Sequence, residues 1–367
     1  MRSLFERFVD RRNLLTGSAA LAGGTTLGWF GLAGGSRAGE AAVGDSAGPR
    51  HNQGNMVTVG DVDGSINDFD ASKLLTDWET GETRKGPDGQ VTRTFEVEAL
   101  DREIEIAPGV TFPAWTYNGR VPGPTLRATE GERLRIVFRN LGSHHHSMHF
   151  HGIHAAGMDG LGNSGLIAPG EEFVYAFDAA PFGCHLYHCH AFPLRRHMHK
   201  GMYGAFIIDP DPARHGEHLD IAKSRLLGTR ENTEWQEFVM VMNGFDTNFD
   251  GENEFYAVNT IAHHYMKHPI RIARARPVRV YLVNVTEFDP INSFHLHANF
   301  FDYFDHGTTL TPTLRTVDTI MQCQAQRGIL EFSFKEHQTG RYMFHAHQSE
   351  FAELGWMALF DVVDAAA

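Results

Sequence analysis

A chain of 367 residues with 42% apolar and 21% charged side chains is long enough to build two domains of ordinary size, each with a proper core. Forty-five acidic against 32 basic residues leave a formal charge of -13. That balance leaves no basic surplus for gripping phosphates and argues against nucleic acid as a partner, while mildly favouring a cationic donor or a metal ion.

The N-terminus reads as an export signal. Arg11 and Arg12 precede Asn13-Leu14-Leu15 and an uncharged stretch rich in Gly, Ala and Thr that runs to about residue 35. This suits a twin-arginine signal over residues 1–40, cleaved near Ala38 to Ala42, and places the mature protein in the periplasm or outside the cell. A membrane anchor is the alternative, but the many glycines and threonines make the stretch weakly apolar. Residues 41–88, rich in Gly, Asp, Ser and Asn, are expected to form a flexible extension, either a mobile arm or a segment packed on a neighbour.

From residue 89 the apolar pattern alternates. TFEVEAL, ERLRIVFRN, EFVYAFD, VRVYLVN and ILEFSF carry the period of short half-buried strands separated by Gly-rich turns, the signature of all-β sandwiches or barrels. A polar segment at 213–224 divides a first domain over 89–212 from a second over 225–364.

Four His-x-His pairs stand in these domains: His149/His151, His188/His190, His295/His297 and His345/His347. A strand sends successive side chains to opposite faces, so both imidazoles of a pair point the same way and can grip metal together. Eight imidazoles in matched pairs suffice for a cluster of three copper ions. Cys189, caught between His188 and His190, faces the other way, into the barrel. A thiolate, two imidazoles and a weak axial thioether make a blue electron-transfer copper site. His197 and Met202 follow Cys189 at suitable spacing, and His146 precedes the first pair on the Cys-facing side, which completes the set. His199 rivals His197 for one position.

The second half lacks this second set. Alignment of the pairs puts Asn292 where His146 stands and Ala346 where Cys189 stands, with Phe351 and Trp356 roughly where a His and a Met belong. Cys184 and Cys323 are candidates for a disulfide or for two separate thiols. His144, His145, His154, His185 and His199 fit no ligand position and are expected to serve hydrogen bonds or solvent.

The segments TYNGRVPGPTLRATEGERLRIVFRN (116–140), HFHGIHAAGMDG (149–160), APGEEFVYAFD (168–178), YHCH (187–190) and FHLH (294–297) resemble the multicopper oxidases. The resemblance is to the two-domain, small-laccase-like branch whose blue copper lies in the first domain. It covers the chain from about residue 90 to its end. It implies two cupredoxin-type Greek-key β-barrels and four coppers per chain, one type 1, one type 2 and two type 3. His149 and His295 would hold the type 2 ion, and His151, His188, His190, His297, His345 and His347 the type 3 pair. Asp159 would stand beside the cluster as a proton donor. A reducing partner, whether a phenol, a metal ion or a small redox protein, would give electrons at an exposed edge of His197, and dioxygen would be reduced to water. The resemblance also implies a head-to-tail homotrimer that shares each cluster between neighbouring subunits, although an intrachain cluster is geometrically open.

Two alternatives stand beside this one. Copper nitrite reductases share the barrels, the trimer and the first-domain blue site, but carry an Asp where His149 stands and lack a His matching His190. A periplasmic copper-binding or electron-carrier protein would have no use for eight further ligands.

Overall fold

The computed structural model describes residues 60–215 and 235–364. The twin-arginine segment, its cleavage region and most of the linker lie outside the described residues.

Two β-barrels follow one another. In the first, one five-stranded sheet orders Trp78–Glu79, Thr125–Thr129, Tyr203–Asp209, Gly183–His188 and His149–Phe150. The facing sheet orders Glu82–Lys85, Val91–Ala107, Arg133–Asn140 and Glu172–Asp178, with Val110–Tyr117 also paired to Val91–Ala107. The second barrel faces a six-stranded sheet built around Gln236–Phe245, Val278–Asn284 and Arg327–Phe332 against a five-stranded one that holds Ile291–Leu296, Gly340–His345 and Met357–Val363. Neighbouring strands are often distant in sequence, as where Thr125–Thr129 lies parallel to Tyr203–Asp209. These crossovers make each domain a cupredoxin-type Greek-key barrel.

Each barrel closes on its own apolar core, and a third cluster joins the two. Ile104, Cys184, Leu186 and Ala205 of the first barrel pack with Val239, Val241, Tyr281 and Ile329 of the second. The strand Gly183–His188 shows why both faces read as apolar. Tyr187, followed by Cys189, points into the first barrel's core, whereas Cys184 and Leu186 point into the interdomain cluster. Ion pairs reinforce the joint: Arg127 bridges Asp209 of its own barrel and Glu237 of the next, and Glu237 also meets Arg279, itself paired with Glu331.

Residues 60–88 differ from a mobile arm. Leu74 and Leu75 are buried, Phe69 and Trp78 pack against the interdomain cluster, and Trp78–Glu79 and Glu82–Lys85 extend the two sheets of the first barrel. The polar composition hid a few large apolar side chains that hold the segment to its own chain. Cys184 and Cys323 are not joined: Cys184 is buried and Cys323 exposed.

Candidate metal centres

Parity along the strands builds the first centre. Cys189 ends the strand Gly183–His188 inside the barrel, and its Sγ lies 3.3 Å from His197 Nδ1 and 3.8 Å from His146 Nδ1. His197 comes from the short helix Leu194–His199. The backbone ties the loop shut, since the amide of Met202 donates to the carbonyl of His197 at 3.2 Å and the amide of Cys189 donates to the carbonyl of Met202 at 3.0 Å. Met202 is fully buried in the same core as Cys189. The structure sets His197, not His199, beside the thiol. His199 turns away, and its Nε2 accepts the amide proton of Asp246 at 3.0 Å.

Burial sets the protonation of this centre. It pushes His146 down to about 3 and His197 to about 4, and it pushes the Cys189 thiol up to about 11. The imidazoles are therefore neutral with lone pairs available, while the thiol must exchange its proton for a metal ion. The amide of Ser147 donates to Cys189 Sγ at 3.4 Å, which favours a thiolate once it forms. The edge of His197 is narrower than expected: only 2% of the residue is exposed, and Trp115, from the distant strand Val110–Tyr117, lies against its ring. Little of the ligand's edge faces solvent.

The second centre comes in two halves. In the first barrel His149 pairs in register with His188, and in the second His295 pairs with His345. His149, His188, His295 and His345 each place Nδ1 against a backbone carbonyl, of Asp159 at 3.0 Å, Cys189 at 2.9 Å, Asp318 at 3.0 Å and Ala346 at 2.6 Å respectively. A carbonyl only accepts, so Nδ1 carries the proton and Nε2 is left with its lone pair facing the centre. Nε2 of His151 and Nε2 of His188 approach to 2.9 Å, and so do those of His297 and His345. Imidazole nitrogens converging this closely form a donor set suited to a bridging metal ion. His190 and His347 complete each half through ring contacts with His149 and His295 at 5.1 and 5.2 Å. The buried Nδ1 of His190 has no protein partner.

The two halves copy each other to the hydrogen bond. Ser147 Oγ accepts the amide proton of His190 at 3.0 Å, and Ser293 Oγ accepts that of His347 at 2.8 Å. Among the described residues, the histidine groups of the two halves stay separate within one chain, each within its own barrel.

Asp159 sits behind this centre. Its Oδ1 is 3.1 Å from His149 Nδ1 and 3.4 Å from His154 Nε2, so the carboxylate touches a candidate ligand from the rear. His154, set aside in the sequence, thereby joins the outer layer. Asp318 escaped notice altogether. It holds the equivalent place in the other half, with its carbonyl on His295 Nδ1 and its carboxylate 3.9 Å away. Only an alignment of Asp159 with Asp318 through the barrel repeat could have found it.

Residues 99–213 and 221–366 match two family profiles described as multicopper oxidase. The solved structure of a multicopper oxidase is 48% identical, with a TM-score of 0.75, and the match covers 83% of this chain and 100% of that one. The chain belongs to the multicopper oxidase family, in its two-domain form. Among curated relatives, a probable nitrite reductase–hydroxylamine oxidoreductase fusion protein of Kuenenia stuttgartiensis is 28% identical over 76% of this chain and 32% of its own length. A copper-containing nitrite reductase of Neisseria meningitidis is 32% identical over 31% of this chain and 30% of its own. The chain thus spans about a third of the length of these curated relatives.

Proposed function

We propose that this protein is a laccase-like oxidase, which takes electrons singly from a phenol, a metal ion or a small redox protein and reduces dioxygen to water. The observation that supports this most directly is the matched pair of half-sites, each bringing four imidazoles to one face, two of them with Nδ1 held by a carbonyl so that Nε2 is free. Copper, four ions per chain when bound, would supply one-electron acceptance at Cys189 and delivery of four electrons to dioxygen at the histidine cluster. His146, Cys189, His197 and Met202 would hold the first ion, and the eight paired histidines the other three. Cys189 is bonded through the backbone to both His188 and His190, so the thiolate is wired directly to the cluster ligands. Asp159 stands where it can hold or pass a proton behind His149.

Nitrite reduction is the second reading, favoured by the curated relatives. Against it stand His149, where those enzymes carry a catalytic Asp, and His190, which they lack. Dioxygen uptake with an artificial donor, run beside nitrite consumption and copper analysis, separates the two. Uptake with four coppers per chain supports the oxidase, and nitrite turnover with two coppers overturns it.

The separation of the two histidine groups within one chain supports a cluster completed by a neighbouring subunit in a homotrimer. Export to the periplasm, where copper would be acquired, belongs to the same proposal. The shared cluster is tested by complementation. One variant carries His149→Ala and His151→Ala, the other His345→Ala and His347→Ala, and both are inactive alone. Co-expressed mixed trimers should regain dioxygen uptake. No recovery in trimers proven to be mixed assigns the cluster to a single chain.

A further inference from the structure

All four side chains proposed to hold the blue copper are sealed: His146, Cys189 and Met202 are fully buried, and His197 is 2% exposed. They offer an electron donor almost no surface. One ring lies against both of the imidazoles. Trp115, itself only 6% exposed, contacts both imidazoles, with its ring centroid 4.7 Å from that of His197 and 5.5 Å from that of His146. Its outer side meets His144 at 4.3 Å, with a tilt of 40°. His144 is solvent-exposed. Its Nδ1 lies 2.8 Å from Ser143 Oγ, and its carbonyl accepts from Asn140 Nδ2 at 2.7 Å, so its loop is anchored from both sides.

We propose that electrons reach the blue site through the contacting rings of His144 and Trp115, and that Trp115 is the positioning residue that couples the donor to His197. This rests on the oxidase proposal above. In each passage the donor loses one electron and the site gains one, while both rings finish unchanged. No tryptophan radical is required, because the rings serve as a contact path. Three features favour this path. The Trp115 backbone is fixed, since its amide donates to the carbonyl of Lys200 at 2.8 Å in the loop between His197 and Met202. Arg196 stands over the Trp115 ring at 5.4 Å and Lys200 at 5.7 Å, which holds the indole in place through cation–π contact. Leu141, three residues before His144, is 56% exposed and offers a footing for an aromatic or otherwise apolar donor.

The test is the anaerobic bleaching of the blue band by hydroquinone, followed by stopped flow, with the reduction potential of the site measured in the same variants. Trp115→Leu should slow bleaching roughly tenfold, a barrier increase of about 1.4 kcal/mol. Its band position should hold, and its potential should move by less than about 59 mV, the shift that changes the equilibrium constant of a one-electron step tenfold. Trp115→Phe, which keeps a ring in the gap, should restore most of the rate. His144→Ala, at the exposed end and harmless to the core, should also slow bleaching, most clearly at low hydroquinone. Faster bleaching in Trp115→Leu would show that the indole is a shield and overturn the proposal. So would an unchanged rate in both Trp115→Leu and His144→Ala, or a loss fully explained by the potential. Failure of the oxidase proposal looks different: the wild-type protein would then bleach with hydroquinone yet consume no dioxygen.

Discussion

The amide of Cys189 donates to the carbonyl of Met202 at 3.0 Å, and in the second barrel the amide of Ala346 donates to the carbonyl of Trp356 at 3.2 Å. The loop closes in the same way, since the amide of Met202 donates to His197 and that of Trp356 to Phe351. The backbone of a metal loop has thus been retained where the ligands are gone. Trp356 and Phe351 fill that volume, the indole N–H donating to the carbonyl of Ser293 at 3.2 Å and Phe351 stacking on Tyr256 at 3.9 Å.

Because Cys189 faces the barrel while His188 and His190 face the cluster, the two centres should be separable. Cys189→Ser should abolish the blue colour and leave the other three coppers bound. Visible absorption and copper analysis on the purified variant check this. A variant that stays blue would remove the thiolate from the site.

The filled site in the second barrel now serves stability. Trp356 is 1% exposed and joins the core through Phe294 and Phe344. Trp356→Ala leaves a large cavity that packed neighbours cannot collapse around, and should cost roughly 3 to 5 kcal/mol. Denaturant unfolding of the copper-free protein measures it. A loss under about 1 kcal/mol would mean that the indole is dispensable.

Much of the grouping of the histidines and Cys189 was legible before the structure because strand parity is a local property. A His-x-His pair and the cysteine between its members declare their faces from spacing alone, and the barrel repeat exposed Asn292 and Ala346 as replacements. What could not be read depends on contacts across long stretches of chain. Trp115 reaches the blue site from a strand 82 residues ahead of His197, and nothing in its neighbourhood marks it. The packing of residues 60–88 follows from a handful of large apolar side chains in a polar segment, where averaged composition predicts the reverse.

Copper-free protein should lose stability as acid is added. Burial holds His146 at about 3 and His188 and His197 at about 4, below the ordinary histidine value near 6.5. Between those values the unfolded chain binds more protons than the folded one, so stability rises with pH through this window and is lost as pH falls. The thermal midpoint of the copper-free protein should therefore drop steadily from about pH 6.5 towards pH 4, and His146→Phe should flatten the slope. A midpoint independent of pH over that range would mean that these imidazoles are solvated.

Asp159 is the residue we propose as the proton donor to the histidine cluster. Its carboxylate lies 3.1 Å from His149 Nδ1 and 3.4 Å from His154 Nε2, while its own carbonyl already accepts from His149 Nδ1 at 3.0 Å. The carbonyl alone can orient the ring, so the carboxylate is spare for proton transfer. Asp159→Asn keeps the backbone contact and the shape but cannot cycle a proton. The variant should hold its copper, keep its blue band and bleach normally without dioxygen, since that half-reaction uses Cys189 and His197. Reoxidation by dioxygen consumes the protons and should slow by roughly 10²-fold. Stopped-flow measurement of both half-reactions tests this. Normal reoxidation with copper retained would leave Asp159 as a turn residue, and the carboxylate of Asp318, 3.9 Å from His295 Nδ1 in the other half-site, would be the next to replace.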